Sequence, residues 1–336
     1  MIRCTKCILP VNFPSIKFDG NGVCNYCKSY RGPERQEDLK SQYRKKFESL
    51  LKKNTEPCTL SPTPYYDVLM AYSGGKDSTY TLDIFKNTYG LNILAVTFDH
   101  GFLSPFAKEN IQTVCDKLGI DHITFKPRFD TLKKIFTASI NDNFYSKKTI
   151  ERASTICSSC MGLVKFITLK LAIEKNTPFI GYGWSPGQAP IQSSVMKING
   201  DFIRSSQKSF YNPLYKIAGE DIKPYFLDES DFKKLDRDIY NIHPIAFLEY
   251  NEESIYQRIQ ELGWKQPQDT DANSTNCLLN SFANQVHINK YGFHPYAFEI
   301  AGLVRSGVIS REEGIEKIES PQNENIIKHV KSKLCV

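Results

Sequence analysis

The sequence predicts a doubly wound α/β fold, a parallel sheet with helices on both faces. A small cysteine-bound segment stands before it and a mostly helical region follows. Three observations predict this. From Tyr65 onward, apolar runs of strand length alternate with helical periodicities. The first strand is joined to the first helix by a glycine turn, Ser73-Gly74-Gly75-Lys76-Asp77-Ser78. Two Cys-x-x-Cys pairs, Cys4/Cys7 and Cys24/Cys27, precede all of this with sixteen residues between them.

The chain has 336 residues, 40% hydrophobic and 24% charged, the composition of a globular protein with room for a main domain and appendages. A net charge of +6 suits anionic ligands such as nucleotides without calling for a nucleic-acid footprint. No apolar run is expected to reach membrane-spanning length, and Met1-Ile2-Arg3-Cys4 lacks the apolar core of a signal peptide. The expectation is therefore a cytoplasmic protein with no membrane partner. Ten cysteines in that compartment point to metal binding or catalysis rather than disulfides.

Taken in order, the two cysteine knuckles turn four sulfurs toward one point, the pattern of a closed four-thiolate zinc site of structural type. Asp19-Gly20-Asn21-Gly22 supplies the turn between them. An iron–sulfur cluster is the alternative occupant. Residues 34–54 place Leu39, Tyr43, Phe47, Leu50 and Leu51 on one face of an amphipathic helix, and 55–64, with Pro57, Pro62 and Pro64, read as a linker. Strands are expected over 66–72, 91–98, 122–125 and 177–183. Helices are expected over 79–85, 108–118, 131–141 and 161–175. In the last third, helices are expected over 228–240, 252–262, 276–289, 296–306 and 310–318, the last with Ser310 and Glu313 as a capping box. Residues 245–250 read as a further strand. The domain boundaries that follow are 1–33, 34–64, 65–220 and 221–336.

Strand, glycine turn and helix together aim backbone N–H groups and a positive helix end at an anion. Ser73 and Ser78 add hydroxyls, Lys76 adds a charge, and Asp77 can hold a metal ion that bridges phosphates. The spacing is not that of the Walker loop. It resembles the PP-loop of the ATP pyrophosphatase superfamily, whose fold is of the adenine nucleotide alpha hydrolase type. The resemblance implies ATP with Mg²⁺ bound by Ser73, Gly74, Gly75, Lys76, Asp77 and Ser78, and transfer of AMP to a substrate oxygen. Ligands in such sheets sit beyond the C-terminal strand ends, so the loops 73–78, 99–102, 126–129 and 183–188 are expected at the site. The resemblance brings Asp99 or His100 near the nucleoside; capping a turn is the alternative role for Asp99.

A second cysteine set, Cys157, Cys160 and Cys277, falls at two predicted helix starts, where the positive helix end favours thiolate. Three thiolates can hold a [4Fe–4S] cluster with one iron left open. The alternatives are a redox pair at Cys157/Cys160 that cycles through a disulfide or a persulfide, the persulfide then being the sulfur carrier, and a buried, inert Cys277. The set resembles that of PP-loop sulfurtransferases that thiolate tRNA, which implies a sulfur donor such as a cysteine desulfurase. Other stretches resemble the N-acetyl sugar amidotransferase family: Ile16 to Cys24, Lys290-Tyr291-Gly292-Phe293, and Ser310-Arg311-Glu312-Glu313-Gly314. That likeness implies a nucleotide-sugar acceptor and ammonia from a separate glutaminase. Both imply adenylation of a carbonyl oxygen, with Asp77 and, for sulfur, Cys157, Cys160 and Cys277 as catalytic residues. A third reading is a non-catalytic nucleic-acid-binding protein, in which Phe202, Phe210, Tyr211 and Tyr215 among Arg204, Lys208 and Lys216 form a stacking platform. The acceptor, a small molecule or tRNA, is not specified by the sequence.

Overall fold

A computed structural model describes residues 2–55, 65–141, 144–271 and 273–336. Most of the expected linker, with its three prolines and Cys58, lies outside them. The six strands are β1 (Val68–Ala71), β2 (Ile93–Phe98), β3 (Asp121–Phe125), β4 (Phe179–Tyr182), β5 (Val195–Ile198) and β6 (Ile239–Ile242). The longer helices are α1 (Pro33–Thr55), α2 (Lys76–Asp83), α3 (Pro105–Leu118), α4 (Phe129–Asn141), α5 (Thr155–Glu174) and α6 (Gly200–Ala218). They continue with α7 (Glu252–Glu261), α8 (Leu279–Tyr291), α9 (Ala297–Arg305), α10 (Arg311–Glu319) and α11 (Glu324–Leu334).

The sheet runs β3-β2-β1-β4-β6-β5. All pairs are parallel except β5 with β6, so the expected parallel sheet carries one antiparallel edge. Side chains alternate along each strand, and both faces are apolar. Leu69, Leu94, Val96 and Ile180 enter one core with residues of α4, α5 and α6. Val68, Met70, Ile93, Ala95 and Phe179 enter the other with Phe47 of α1, Leu82 of α2 and Ile111 of α3. Helices on both faces are what a sheet apolar on both faces requires. From β1 the chain steps outward to β2 and β3, then returns to place β4 on the other side of β1. The C-terminal ends of β1 and β4 thus flank the switch point, where an open α/β sheet leaves a crevice.

Four expectations are corrected. Residues 245–250 form no strand: Pro244–Ala246 is a short 3₁₀ turn, and Ile245 and Phe247 are buried side chains. The stretch expected as a helix over 228–240 holds a five-residue helix, Glu229–Lys233, and then β6. That strand pairs with β4, so the sheet takes a member from beyond residue 220. Helix α5 begins at Thr155, capped by Ser154, so Cys157 and Cys160 lie inside its first two turns. By length and composition α5 could also cross a membrane, against the expectation that no apolar run would; 61% of its most apolar window is buried in this fold. In the stretch 202–216, Phe210 packs over Gly162, and Tyr211 meets Phe226 edge-on, while Phe202 and Tyr215 are exposed.

Candidate nucleotide and thiol site

The loop between β1 and α2 closes on itself. The Ser73 and Ser78 hydroxyls are 3.0 Å apart, and Ser78 Oγ also donates to the Gly75 carbonyl at 3.0 Å. Gly74 has φ +74°, and a Cβ there would lie 2.5 Å from the Ala107 carbonyl, so the turn needs glycine on both counts. Trp264 Nε1 donates to the Gly74 carbonyl at 2.9 Å and fixes the loop from behind.

Lys76 is buried, with its Nζ donating to Tyr250 Oη at 2.7 Å and Glu252 Oε1 at 2.8 Å, and lying 3.4 Å from Asp77 Oδ1. Burial works against its charge, but Asp77, Tyr250 and Glu252 outweigh burial and raise its pKa. Asp77 is pushed up by burial despite Lys76 beside it. Lys317 Nζ lies 3.7 Å from Glu252 Oε2. The segment before α8 closes the other side: Lys76 N–H donates to Thr275 Oγ1 at 3.0 Å, and Asn273, Ser274, Thr275 and Asn276 line the cavity. That cavity has a volume of about 290 Å³, and Gly183, Ser185 and Gln188 after β4 complete it.

Glu299 of α9 also lines this cavity, accepting from Ser185 Oγ at 2.5 Å. Burial pushes its carboxyl up to about 7. A second cavity of about 800 Å³ adjoins the first, with Ser73, Gly183, Gln188, Asn276, Tyr296 and Glu299 in both walls. Cys157 lines this second cavity. Cys160, one turn on, and Cys277 lie close enough that charges on the three sulfurs act on one another. Their sulfurs do not all fall within the 4.8 Å that groups the N-terminal four. The expected lowering of these thiols is not found. Burial raises Cys157 and Cys160 and pushes Cys277 up to about 12, outweighing the Ser154 hydroxyl that caps the helix over Cys157.

Asp99 ends β2 as a turn cap, accepting from Gly101 N–H at 3.0 Å and Lys108 Nζ at 3.1 Å. Burial raises its pKa, these partners lower it, and the net shift is downward. It is absent from the lining of both cavities. Its neighbour His100 points at the thiols, with Nε2 3.6 Å from Cys277 Sγ. Loop 126–129 is likewise absent from both linings, and His294 is buried with Nδ1 accepting from Tyr296 N–H. Sequence reasoning missed Tyr250, Glu252 and Glu299; the acidic start of α7 was the only local sign of Glu252.

At the N-terminus, Cys4, Cys7, Cys24 and Cys27 converge, with all four ligand atoms within 4.8 Å of one another. Cys4–Cys27 and Cys7–Cys24 are separated by 3.8 and 3.7 Å. A tetrahedron with Zn–S bonds of about 2.3 Å has edges of about 3.8 Å. The N–H of Cys24 donates to Cys4 Sγ at 3.2 Å, and Cys7 is lowered to about 5, chiefly through its hydrogen bond with Cys27. The nine described cysteines form no disulfide.

No protein-family model matches the chain. An uncharacterised protein of Methanocaldococcus jannaschii is 24% identical over 323 residues, covering 96% of this chain and 94% of that protein. The tRNA-specific 2-thiouridylase MnmA of Halothermothrix orenii is 30% identical over 129 residues, about a third of each chain. The resemblance to the PP-loop superfamily stands. Among solved structures, the U34-tRNA thiolase NcsA of Methanococcus maripaludis, with its [4Fe-4S] cluster, is similar at a TM-score of 0.37 and 19% identity, covering 100% of this chain and 99% of that one. A predicted tRNA methyltransferase subunit from Methanocaldococcus jannaschii gives 0.32 and 16%, covering 69% and 92%. The loop that carries the PP-loop resemblance, residues 73–78, opens at the sheet's switch point.

Proposed function

We propose that the protein is an AMP-forming, ATP-dependent enzyme that adenylates a carbonyl oxygen of its acceptor and replaces that oxygen with sulfur. One juxtaposition carries the reading. The cavity lined by Cys157 and the cavity of the PP-loop share Ser73, Gly183, Asn276 and Glu299. A carbon activated at the PP-loop therefore faces Cys157, the one thiol of the three in these linings. The thiouridylase similarity supports a tRNA acceptor, and a nucleotide sugar is the small-molecule alternative.

In the first step the acceptor oxygen attacks the α-phosphorus of ATP, and the bond to the β-phosphate's bridging oxygen breaks. The N–H groups of the loop and of the start of α2, with Lys76, neutralise the departing pyrophosphate. Asp77 would hold Mg²⁺, which would polarise the same phosphates. In the second step sulfur bonds to the carbon and AMP leaves with the former carbonyl oxygen. The N-terminal sulfur spacing fits structural zinc. The second set fits a cluster: three partly buried thiols whose pKa values are raised need a bound metal to be thiolates, and their wider spread suits several irons rather than one ion. A [4Fe–4S] cluster there would supply an iron free of protein ligands, where sulfide can sit. Without a metal, buried neutral thiols are poor nucleophiles, and ammonia from a glutaminase would take the place of sulfur.

The test is iron and acid-labile sulfide per chain in protein purified without oxygen. About four of each are expected, with zinc at the N-terminal site. Zinc alone would overturn the sulfur reading and put the amidotransferase first. In the active enzyme, Asp77→Ala should abolish pyrophosphate release. Cys157→Ala should stop sulfur transfer while pyrophosphate release continues. Turnover surviving in the first variant removes the PP-loop chemistry, and unchanged product in the second removes the role of the thiol.

A further inference from the structure

A third cavity, of about 660 Å³, lies between the start of α1, the loop after β4 and α9. Four arginines line it: Arg31, Arg35, Arg152 and Arg305. None is in an ion pair among the described residues. Of the other seven arginines of the chain, five are in ion pairs and two, like Arg152, donate to main-chain carbonyls. Arg3, Arg44, Arg128, Arg204 and Arg258 pair with carboxylates. Arg237 and Arg311 donate to main-chain carbonyls.

Two of the four are held in place by other means. Arg152 lies over the Phe298 ring at 4.7 Å and gives one N–H to the Gln188 carbonyl at 3.1 Å. Arg305 lies over the same ring at 5.7 Å, and its Nη1 is buried without a partner. Phe298 is itself fixed by Phe13, stacked at 5.8 Å, and Tyr26, edge-on at 5.4 Å. Two carboxylates, Glu37 and Glu249, line the cavity, and Glu37 is taken by Lys40 at 2.6 Å. Four guanidiniums around one cavity with so little countercharge are a site for a polyanion, and their planar forks match phosphate oxygens two at a time.

We propose that this cavity is a phosphate subsite that holds the acceptor beside the PP-loop. The proposal rests on the reading that an acceptor is modified there. Tyr250 and Val308 line both this cavity and that of the PP-loop, and Arg152 lines both this cavity and that of Cys157. A substrate held here by its phosphates lies next to both reacting centres. A diphosphate of a nucleotide sugar and the phosphodiesters of RNA share this chemistry.

The test uses the full chain with Mg²⁺ and saturating AMP-PNP, so that the PP-loop is occupied. Binding of two probes, UDP-N-acetylglucosamine and unfractionated tRNA, is measured for the wild type and for Arg31→Gln/Arg35→Gln. Both arginines are exposed, so the double variant should fold. A tenfold or greater loss for at least one probe is expected, with AMP-PNP affinity unchanged within twofold. Loss for the nucleotide sugar identifies a diphosphate. Loss for tRNA, with the slope of log affinity against log salt reduced by about two, identifies phosphodiesters. The subsite is overturned if the wild type binds neither probe, or if the double variant binds both as the wild type does. Failure of the parent reading looks different: AMP-PNP does not bind or pyrophosphate is never released, while the arginine-dependent anion binding, then measured without nucleotide, persists.

Discussion

Glu299 and four buried histidines pull stability in opposite directions across the acid range. Burial raises Glu299 to about 7, with Asp77 adding to the rise and Ser185 opposing it. In the unfolded chain the group has its ordinary value of 4.5. Between those values the folded state binds the extra proton, so this contribution is full below 4.5 and is lost as pH rises through 7. Burial lowers His100, His243 and His294 to about 4 and His287 to about 3. Here the unfolded chain binds the extra protons, so these contributions are full above 6.5 and are lost as pH falls through 4. Glu299→Gln keeps a polar side chain and removes one titration. Its urea midpoint should track the wild type below pH 4.5 and gain on it steadily from pH 5 to 7.5. A constant offset across that range would mean that Glu299 titrates as an ordinary carboxyl.

The meeting of α2 with the end of β4 depends on Gly183. A Cβ there would lie 2.3 Å from Ser78 Cα and 2.5 Å from Ser78 N, which is helix backbone that cannot swing aside. Gly183→Ala should destabilise the protein by about 1–3 kcal/mol, the usual range for overpacking. It should also weaken AMP-PNP binding by displacing the Ser78 N–H. Gly200→Ala, at the open start of α6 with nothing within 4 Å, should be neutral or stabilising by about 0.4–1 kcal/mol. Urea unfolding and calorimetric titration check the pair, and equal effects would show that close approach does not constrain the loop. The same packing explains what the sequence could reveal. Strands β1, β2 and β4, helix α3 and the Ser310 cap carry their signal within a few residues. Strands β5 and β6 are four residues each, Val-Met-Lys-Ile and Ile-Tyr-Asn-Ile, and become strands through the edge that β4 offers. The apolar run after β6 was spent on core packing instead. Tyr250 and Glu252 reach Lys76 from 174 and 176 residues away, a distance over which no periodicity reports. The thiols' position near a helix start was legible, but their burial, which reverses the expected pKa shift, was not.

Across the whole molecule the N-terminal segment packs on helices α9 and α10, and this couples the N-terminal cysteines to the cavity beside residues 73–78. Ile8, Leu9 and Phe13 share one apolar cluster with Phe293 and with Ala297, Ile300, Ala301 and Leu303 of α9. Arg311 of α10 donates to the Cys7 carbonyl at 3.1 Å and the Cys4 carbonyl at 3.2 Å. Helix α9 then presents Glu299, Ile300 and Leu303 to that cavity. A segment this short has too little core to hold its shape alone, so the bound metal would supply much of its folding free energy. Cys24→Ser/Cys27→Ser removes that metal and leaves the second thiol set intact. The variant should lose one zinc per chain and melt at a lower temperature. It should also bind AMP-PNP several-fold more weakly, although no cysteine of the knot lines the cavity, because α9 loses the surface it packs on. Zinc loss and a lowered melting point with AMP-PNP affinity unchanged would show that α9 is held by α8 and α10 without the knot. The N-terminal segment would then be a separate appendage rather than a wall of the site.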